Sequence, residues 1–191
     1  AGETAGIFMV MGVLSAIGAA LTVYCTSMIY ASLKSIPAWT NELVSPLYLV
    51  LGLATGGLIL DALLHIFDTP IAGVSVLCIL ALITGALLKR RYWQEIDVAP
   101  RETDLASATG LGQIGKVRVL DNPHTSKNYL QQEMGYRVAR KHALKLRRIA
   151  TVALFILPII LLGLALAFPA IALAATVLAV VAACVGIVTE R

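Results

Sequence analysis

Charge is scarce in this sequence, and most of what there is lies in one place. Charged residues make up 14% of the 191, against about 25% in a soluble globular domain. No residue from 4 to 33 or from 149 to 189 is charged, and about 20 apolar residues suffice to cross a bilayer. The mean hydropathy of +0.86 agrees. A soluble domain is excluded, and the chain belongs in a membrane. The net charge of +4 is therefore no sign of nucleic-acid binding, because Lys and Arg beside apolar spans mark the cytoplasmic face of a membrane protein.

Cysteine and histidine are also few. Cys25, Cys78 and Cys184 stand singly in separate apolar runs, with no C-x-x-C pair. A disulfide framework or a Cys-ligated iron–sulfur cluster has no support from that spacing, and buried free thiols are the simpler reading. Of His65, His124 and His142, only His65 falls in an apolar run. This stretch cannot supply two facing His ligands, so no haem is expected in it. Spacings for a Ser/His/Asp triad, a zinc site or a P-loop are lacking, so neither catalytic residues nor metal ligands are expected. The start has no charged region followed by a short apolar core and a cleavage site, so it does not read as a signal peptide. Ala1 in place of Met, with apolar sequence from Ala5 onward, predicts further residues before Ala1 and after Arg191.

What is present is a run of apolar spans. They lie at about residues 5–30, 43–66 and 71–88, and then at 149–167 and 170–189. The fold class that follows is all-α, a polytopic transmembrane helix bundle of five spans with one large cytoplasmic loop. Three parts result: three transmembrane helices over 1–88, a basic cytoplasmic segment over 89–148 and a transmembrane hairpin over 149–191. The first span is rich in Gly, Ala and Ser, which let helices approach closely in lipid. Thr55, Gly56 and Gly57 form a similar patch in the second. Pro46 falls in the first turn of its span, where proline is tolerated best, and Pro158 predicts a kink. Asp68-Thr69-Pro70 and Phe168-Pro169 read as turns between spans.

The basic segment holds thirteen of the fifteen Lys and Arg residues, the others being Lys34 and Arg191. With the N-terminus of this stretch periplasmic, all fifteen cations share one face and the opposite turns carry only Glu3, Asp61 and Asp68. The positive-inside rule makes the basic face and the C-terminus cytoplasmic. Gly110-Leu-Gly-Gln-Ile-Gly115 matches G-x-G-x-x-G but lacks the strand and βαβ setting the motif needs, so a glycine turn is the better reading. Residues 126–148 have a helical pattern that leads into the fourth span.

Two clusters could carry chemistry. Asp61 and His65 are four apart on one helix face, and ionisable residues within spans are functional candidates by default. They form a candidate proton relay or quinone partner; the alternative is a solvated helix end. Tyr24, Ser27, Tyr30 and Lys34 gather at the cytoplasmic end of the first span. Hydroxyls at an apolar interface can hold the carbonyl oxygens of a quinone; the alternative is an aromatic belt with hydroxyls bonded back to the helix.

The stretch TVYCTSMIYASLKSIPAW at 22–39 resembles a helix-end motif of the dimethyl sulfoxide reductase anchor-subunit family. ATGLG at 108–112, PHT at 123–125, NYL at 128–130, EMGYRVARKH at 133–142 and LRR at 146–148 resemble its sulfite dehydrogenase (quinone) branch. The resemblance covers nearly the whole chain. Such anchors have about eight spans, and this chain is similar to the later part, so about three N-terminal spans are expected to be missing. The family's quinol-site His and Glu belong to that missing part and are not carried over to any residue here.

The resemblance implies a non-catalytic, quinone-reactive anchor in a bacterial inner membrane. Its partners are an iron–sulfur subunit and a molybdopterin catalytic subunit, and its quinone is ubiquinone or menaquinone. Electrons pass between the iron–sulfur subunit and the quinone pool, with sulfite oxidation the favoured reaction. Tyr129, Glu133, Tyr136, Arg137, Arg140 and Lys141 are the residues expected to dock the partner. The alternative from another class is a small multi-pass transporter or a lipid-interacting scaffold. A transporter is expected to show inverted repeats, and no internal repeat is evident.

Overall fold

The computed structural model describes residues 6–34, 36, 38–98, 104–121 and 141–190. Among the described residues, five helical spans are long and apolar enough to cross a membrane, and the fold is a polytopic helix bundle. The spans are α1 (Ile7–Ala31), α2 (Val44–Ile66), α3 (Ala72–Val98), a fourth built from α5 (Ala143–Thr151) and α6 (Leu157–Ala167), and a fifth containing α7 (Ala172–Glu190). In hydrocarbon an unpaired backbone amide costs several kcal/mol, so an apolar run of this length is held helical whatever its side chains prefer. A short polar helix, α4 (Leu105–Thr109), lies in the segment between the third and fourth spans.

α3 runs ten residues past the end of its apolar stretch. Lys89, Arg90 and Arg91 do not stop it, and it continues through Tyr92 and Trp93 to Val98. The reason is in the stripe it buries: Ser75, Cys78, Leu82, Gly85 and Lys89 recur at helical spacing and face the bundle. α2 ends in a Schellman motif. Asp68 adopts a left-handed φ of 54°, Thr69 N donates to Leu64 O at 2.9 Å and Asp68 N to His65 O at 3.3 Å. A short polar residue tolerates this conformation, and Pro70 prevents the helix from resuming.

The fourth span is not one regular helix. α5 (Ala143–Thr151) passes into a π-helical turn, Val152–Ile156, and then into α6 (Leu157–Ala167). Pro158 lacks the N–H that would bond the preceding turn, and the disturbance expected from it takes the form of that wider turn. Leu154 and Phe155, both buried, occupy it. Phe168 and a 3₁₀ turn at Pro169–Ile171 reverse the chain into α7.

The core is made of small and branched residues from α2, α3, the π turn, α6 and α7: Ala54, Leu58, Cys78, Leu82, Leu154 and Ala179 are at its centre. Lipid tails are as apolar as leucine, so helices associate by close packing rather than by escaping the solvent. Glycine sets the closest approaches. A Cβ on Gly57 would stand 2.7 Å from Cys78 Sγ, while one on neighbouring Gly56 would meet nothing within 4 Å. α1 packs along α2 and presents its other faces outward; Ser27 is its one buried residue.

Candidate functional site

One end of the bundle, the end with the cations, holds a cleft of about 630 Å³ between α1, α2, α3 and the end of α7. Its walls are aromatic and aliphatic: Tyr30, Trp39, Tyr48 and Tyr92 stand with Leu47 and Leu51. Tyr30 packs edge-on against Trp39 at 5.2 Å and stacks on Tyr48 at 5.8 Å. Tyr92 donates its hydroxyl to Ala38 O at 2.9 Å, which fixes the α1–α2 loop over α3. Asn41 ties the same loop to α3 through Glu95 Oε2 at 2.8 Å.

Lys89 and Glu190 bring charge into this apolar setting. They form an ion pair in the cleft wall, joining α3 to the last residue of α7. Lys89 is only 6% exposed. Its ammonium also lies 4.4 Å from the centre of the Tyr92 ring and 5.5 Å from that of Trp93. The other face of the tie is Arg147, whose guanidinium sits 5.4 Å from the Trp93 ring and grips Asp97 with two hydrogen bonds, at 2.6 and 3.0 Å. The start of the fourth span is thereby locked to the extension of α3.

Of the sequence-predicted residues that are described, Tyr30 alone lines the cleft. Ser27 is fully buried behind it, donating to Tyr24 O at 2.6 Å and sharing a 2.9 Å hydrogen bond with Ser45 of α2. Tyr24 and Lys34 are exposed at the flank of α1. Thr22 and Thr26 bond back to the carbonyls one turn earlier. Lys141 is exposed, just before α5. Tyr129, Glu133, Tyr136, Arg137 and Arg140 lie outside the described residues.

Asp61 and His65 stand toward the opposite end, and Asp61 is buried rather than solvated. It is 0% exposed and faces α3, where Ser75 Oγ donates to its Oδ1 at 2.8 Å. Its Oδ2 has no hydrogen-bond partner among the described residues. His65 Nδ1 donates to Asp61 O, its own helix carbonyl, at 2.8 Å and lies 3.8 Å from Oδ1. The pair is held together, but Leu58 and Ala54 pack between it and the cleft end of α2.

Gly110 of the glycine motif has φ 69° and ends α4, followed by a 3₁₀ turn at Leu111–Gln113. This is turn geometry, with no flanking strand among the described residues. Asp104 and Ser107 cap α4 reciprocally, at 2.7 and 2.9 Å. The Ser107 backbone amide, with its hydroxyl, holds the Asp104 carboxyl below its ordinary range.

The model of the family "DMSO reductase anchor subunit (DmsC)" matches residues 5–191. The chain belongs to that family. No curated protein and no solved structure matches it. The five apolar helices and the family together make this an integral-membrane anchor subunit.

The anchor's two cleft charges were missed by sequence reasoning. Lys89 reads as a membrane-edge cation beside Arg90 and Arg91, yet its place on the stripe that runs through Cys78, Leu82 and Gly85 could have marked it as inward-facing. Glu190 had a signal too, as the first acid after a long charge-free run at the basic end.

Proposed function

We propose that this anchor is the quinone-reactive subunit of a molybdopterin oxidoreductase complex. It passes electrons between an iron–sulfur subunit and the quinone pool, with sulfite oxidation as the reaction of the soluble part. The observation that carries the reading is the aromatic cleft at the basic end of the bundle. Its size is within the range of small-molecule sites, about 300–1,000 Å³. Its walls suit a flat ring, and the Lys89–Glu190 pair supplies polar contacts for the oxygen at one end of it. A quinone fits that donor set. When bound, it supplies two-electron, two-proton redox chemistry; the chain's part is to hold it, exclude water and offer hydrogen bonds.

The placement supports a short path for electrons. The cleft opens at the end of the bundle from which the basic segment leaves, and that segment is where an iron–sulfur subunit docks in this reading, on Tyr129, Glu133, Tyr136, Arg137, Arg140 and Lys141. Positive charge on that end favours a cytoplasmic orientation in a bacterial inner membrane. Tyr30 takes part as a wall of the site. Tyr24, Ser27 and Lys34 complete the neighbourhood, Ser27 by holding α1 against α2 through Ser45. Asp61 and His65 form a candidate relay for protons on the far half of α2.

The test is to purify the full-length chain with whatever accompanies it and measure metals and turnover. The reading expects molybdenum and iron in the complex, and quinone reduction by sulfite that Tyr30→Ala lowers while reduction of a soluble dye is unchanged. A chain that comes out alone and metal-free points instead to a transporter or lipid-interacting scaffold.

A further inference from the structure

The Lys89–Glu190 pair is costly for a simple tie between helices. Taking two charges out of water carries a penalty that their attraction barely repays, and an apolar pair of similar volume often serves as well. Here the pair lines the aromatic cleft, at its junction of α3 and α7. The ammonium carries three donors. Glu190 Oε1 takes one, and the rings of Tyr92 and Trp93 offer only their faces. The carboxylate likewise has a second oxygen able to accept. The pair therefore has both a spare donor and a spare acceptor in an otherwise aromatic and aliphatic pocket.

A quinone and its quinol differ in just this respect. The oxidised ring presents carbonyl oxygens, which accept; the reduced ring presents hydroxyls, which also donate. We propose that Lys89 and Glu190 are the polar anchor of the ring, Lys89 donating to a carbonyl oxygen of the quinone and Glu190 accepting from a hydroxyl of the quinol. This rests on the quinone reading of the cleft. The pair then retains the ring in both oxidation states, and each partner favours one of them. The two aromatic faces over the ammonium keep Lys89 turned inward when Glu190 is engaged by ligand.

Photolabelling of the full-length chain in native membranes tests this, with an azido-ubiquinone as the probe and ubiquinone-1 or its reduced form as competitor. Label on Tyr30, Tyr48 or Tyr92 in the wild type establishes the cleft as the quinone site. Lys89→Gln is then expected to weaken competition by oxidised ubiquinone-1 about ten-fold, the loss of one charge-assisted hydrogen bond. Glu190→Gln is expected to weaken competition by the reduced form more than by the oxidised form. Should a single variant fail to fold, the exchanged pair Lys89→Glu with Glu190→Lys keeps the tie but reverses its polarity, and is expected to alter both competitions. Wild-type competition in all of these variants overturns the inference and leaves the pair a structural tie. Absence of label from the wild-type cleft overturns the quinone reading itself, and the inference with it.

Discussion

Gly186 of α7 packs directly on the backbone of Leu154 in the π turn: a Cβ added to Gly186 would stand 2.5 Å from Leu154 N and 2.7 Å from its Cα. The contact couples two irregularities. Pro158 widens the turn before it, and the glycine lets α7 close on the widened backbone. Neither side can yield as a flexible side chain could. Gly186→Ala is expected to destabilise by about 1–3 kcal/mol, the range for overpacking a tight core, seen as a lower Tm in detergent. Gly163→Ala is the control. Nothing lies within 4 Å of its Cβ position, so the gain in helix propensity is expected to leave Tm unchanged or slightly raised.

Gly57 and Cys78 form a second close approach, but of a softer kind. The obstruction at 2.7 Å is a thiol rather than backbone. Gly57→Ala is expected to lower thermal stability, and Cys78→Ala in the same chain to restore most of the loss by vacating the space. A double-mutant cycle measures the coupling. Additive losses would show that α2 and α3 do not meet through these two residues.

Ser75 and Asp61 form the polar contact inside the α2–α3 interface. Ser75→Ala leaves a buried carboxyl with neither oxygen bonded among the described residues, and is expected to cost about 1–3 kcal/mol. Asp61→Asn keeps an acceptor for Ser75 and is expected to fold with nearly wild-type stability. If the Asp61–His65 pair relays protons, the same Asn variant slows quinone-linked turnover without changing dye reduction. Equal rates in both assays would reduce Asp61 to a packing role.

Arg147 and Asp97 tie the fourth span to the extension of α3, but Asp97 is exposed. Exposed pairs contribute at most about 1 kcal/mol. Asp97→Asn is therefore expected to change Tm little, and less still at high salt.

Asp104 supplies a pH-dependent element outside the apolar spans. Its carboxyl is depressed in the folded state by the Ser107 amide, so it stabilises α4 when ionised. That contribution is fully present above the ordinary aspartate range and is lost as pH falls through the lower, folded value. Amide exchange at Ser107 is expected to be slow at neutral pH and to lose protection only on strong acidification. Asp104→Ala is expected to abolish the protection at every pH.

The five spans and the turns between them were legible because lipid enforces a one-dimensional rule. A long apolar run without charge must form a helix to satisfy its backbone, and Asp68-Thr69-Pro70 and Phe168-Pro169 interrupt those runs wherever they fall. The glycine motif at 110–115 was also readable as a turn, since no strand pattern precedes it. The candidate site was read less completely. Tyr30 could be found from its place at the end of a span, but its neighbours Tyr48 and Tyr92 come from other helices, and their proximity follows only from how the helices cross.

By itself the sequence determined which segments are long and apolar enough to cross a membrane, that most of the cations lie in one segment between them, and which family the chain resembles. Only the tertiary structure decided which face of each helix is buried. In a soluble helix the polar face betrays the other one; here every face of the spans is apolar and that signal vanishes. The fold thus turned Lys89 inward while Arg90 and Arg91 stayed out, sealed Asp61 against Ser75, and brought Glu190 from the far end of the chain to Lys89. Contacts between residues a hundred positions apart depend on helix crossing and on the few glycines that permit it, which no local pattern records.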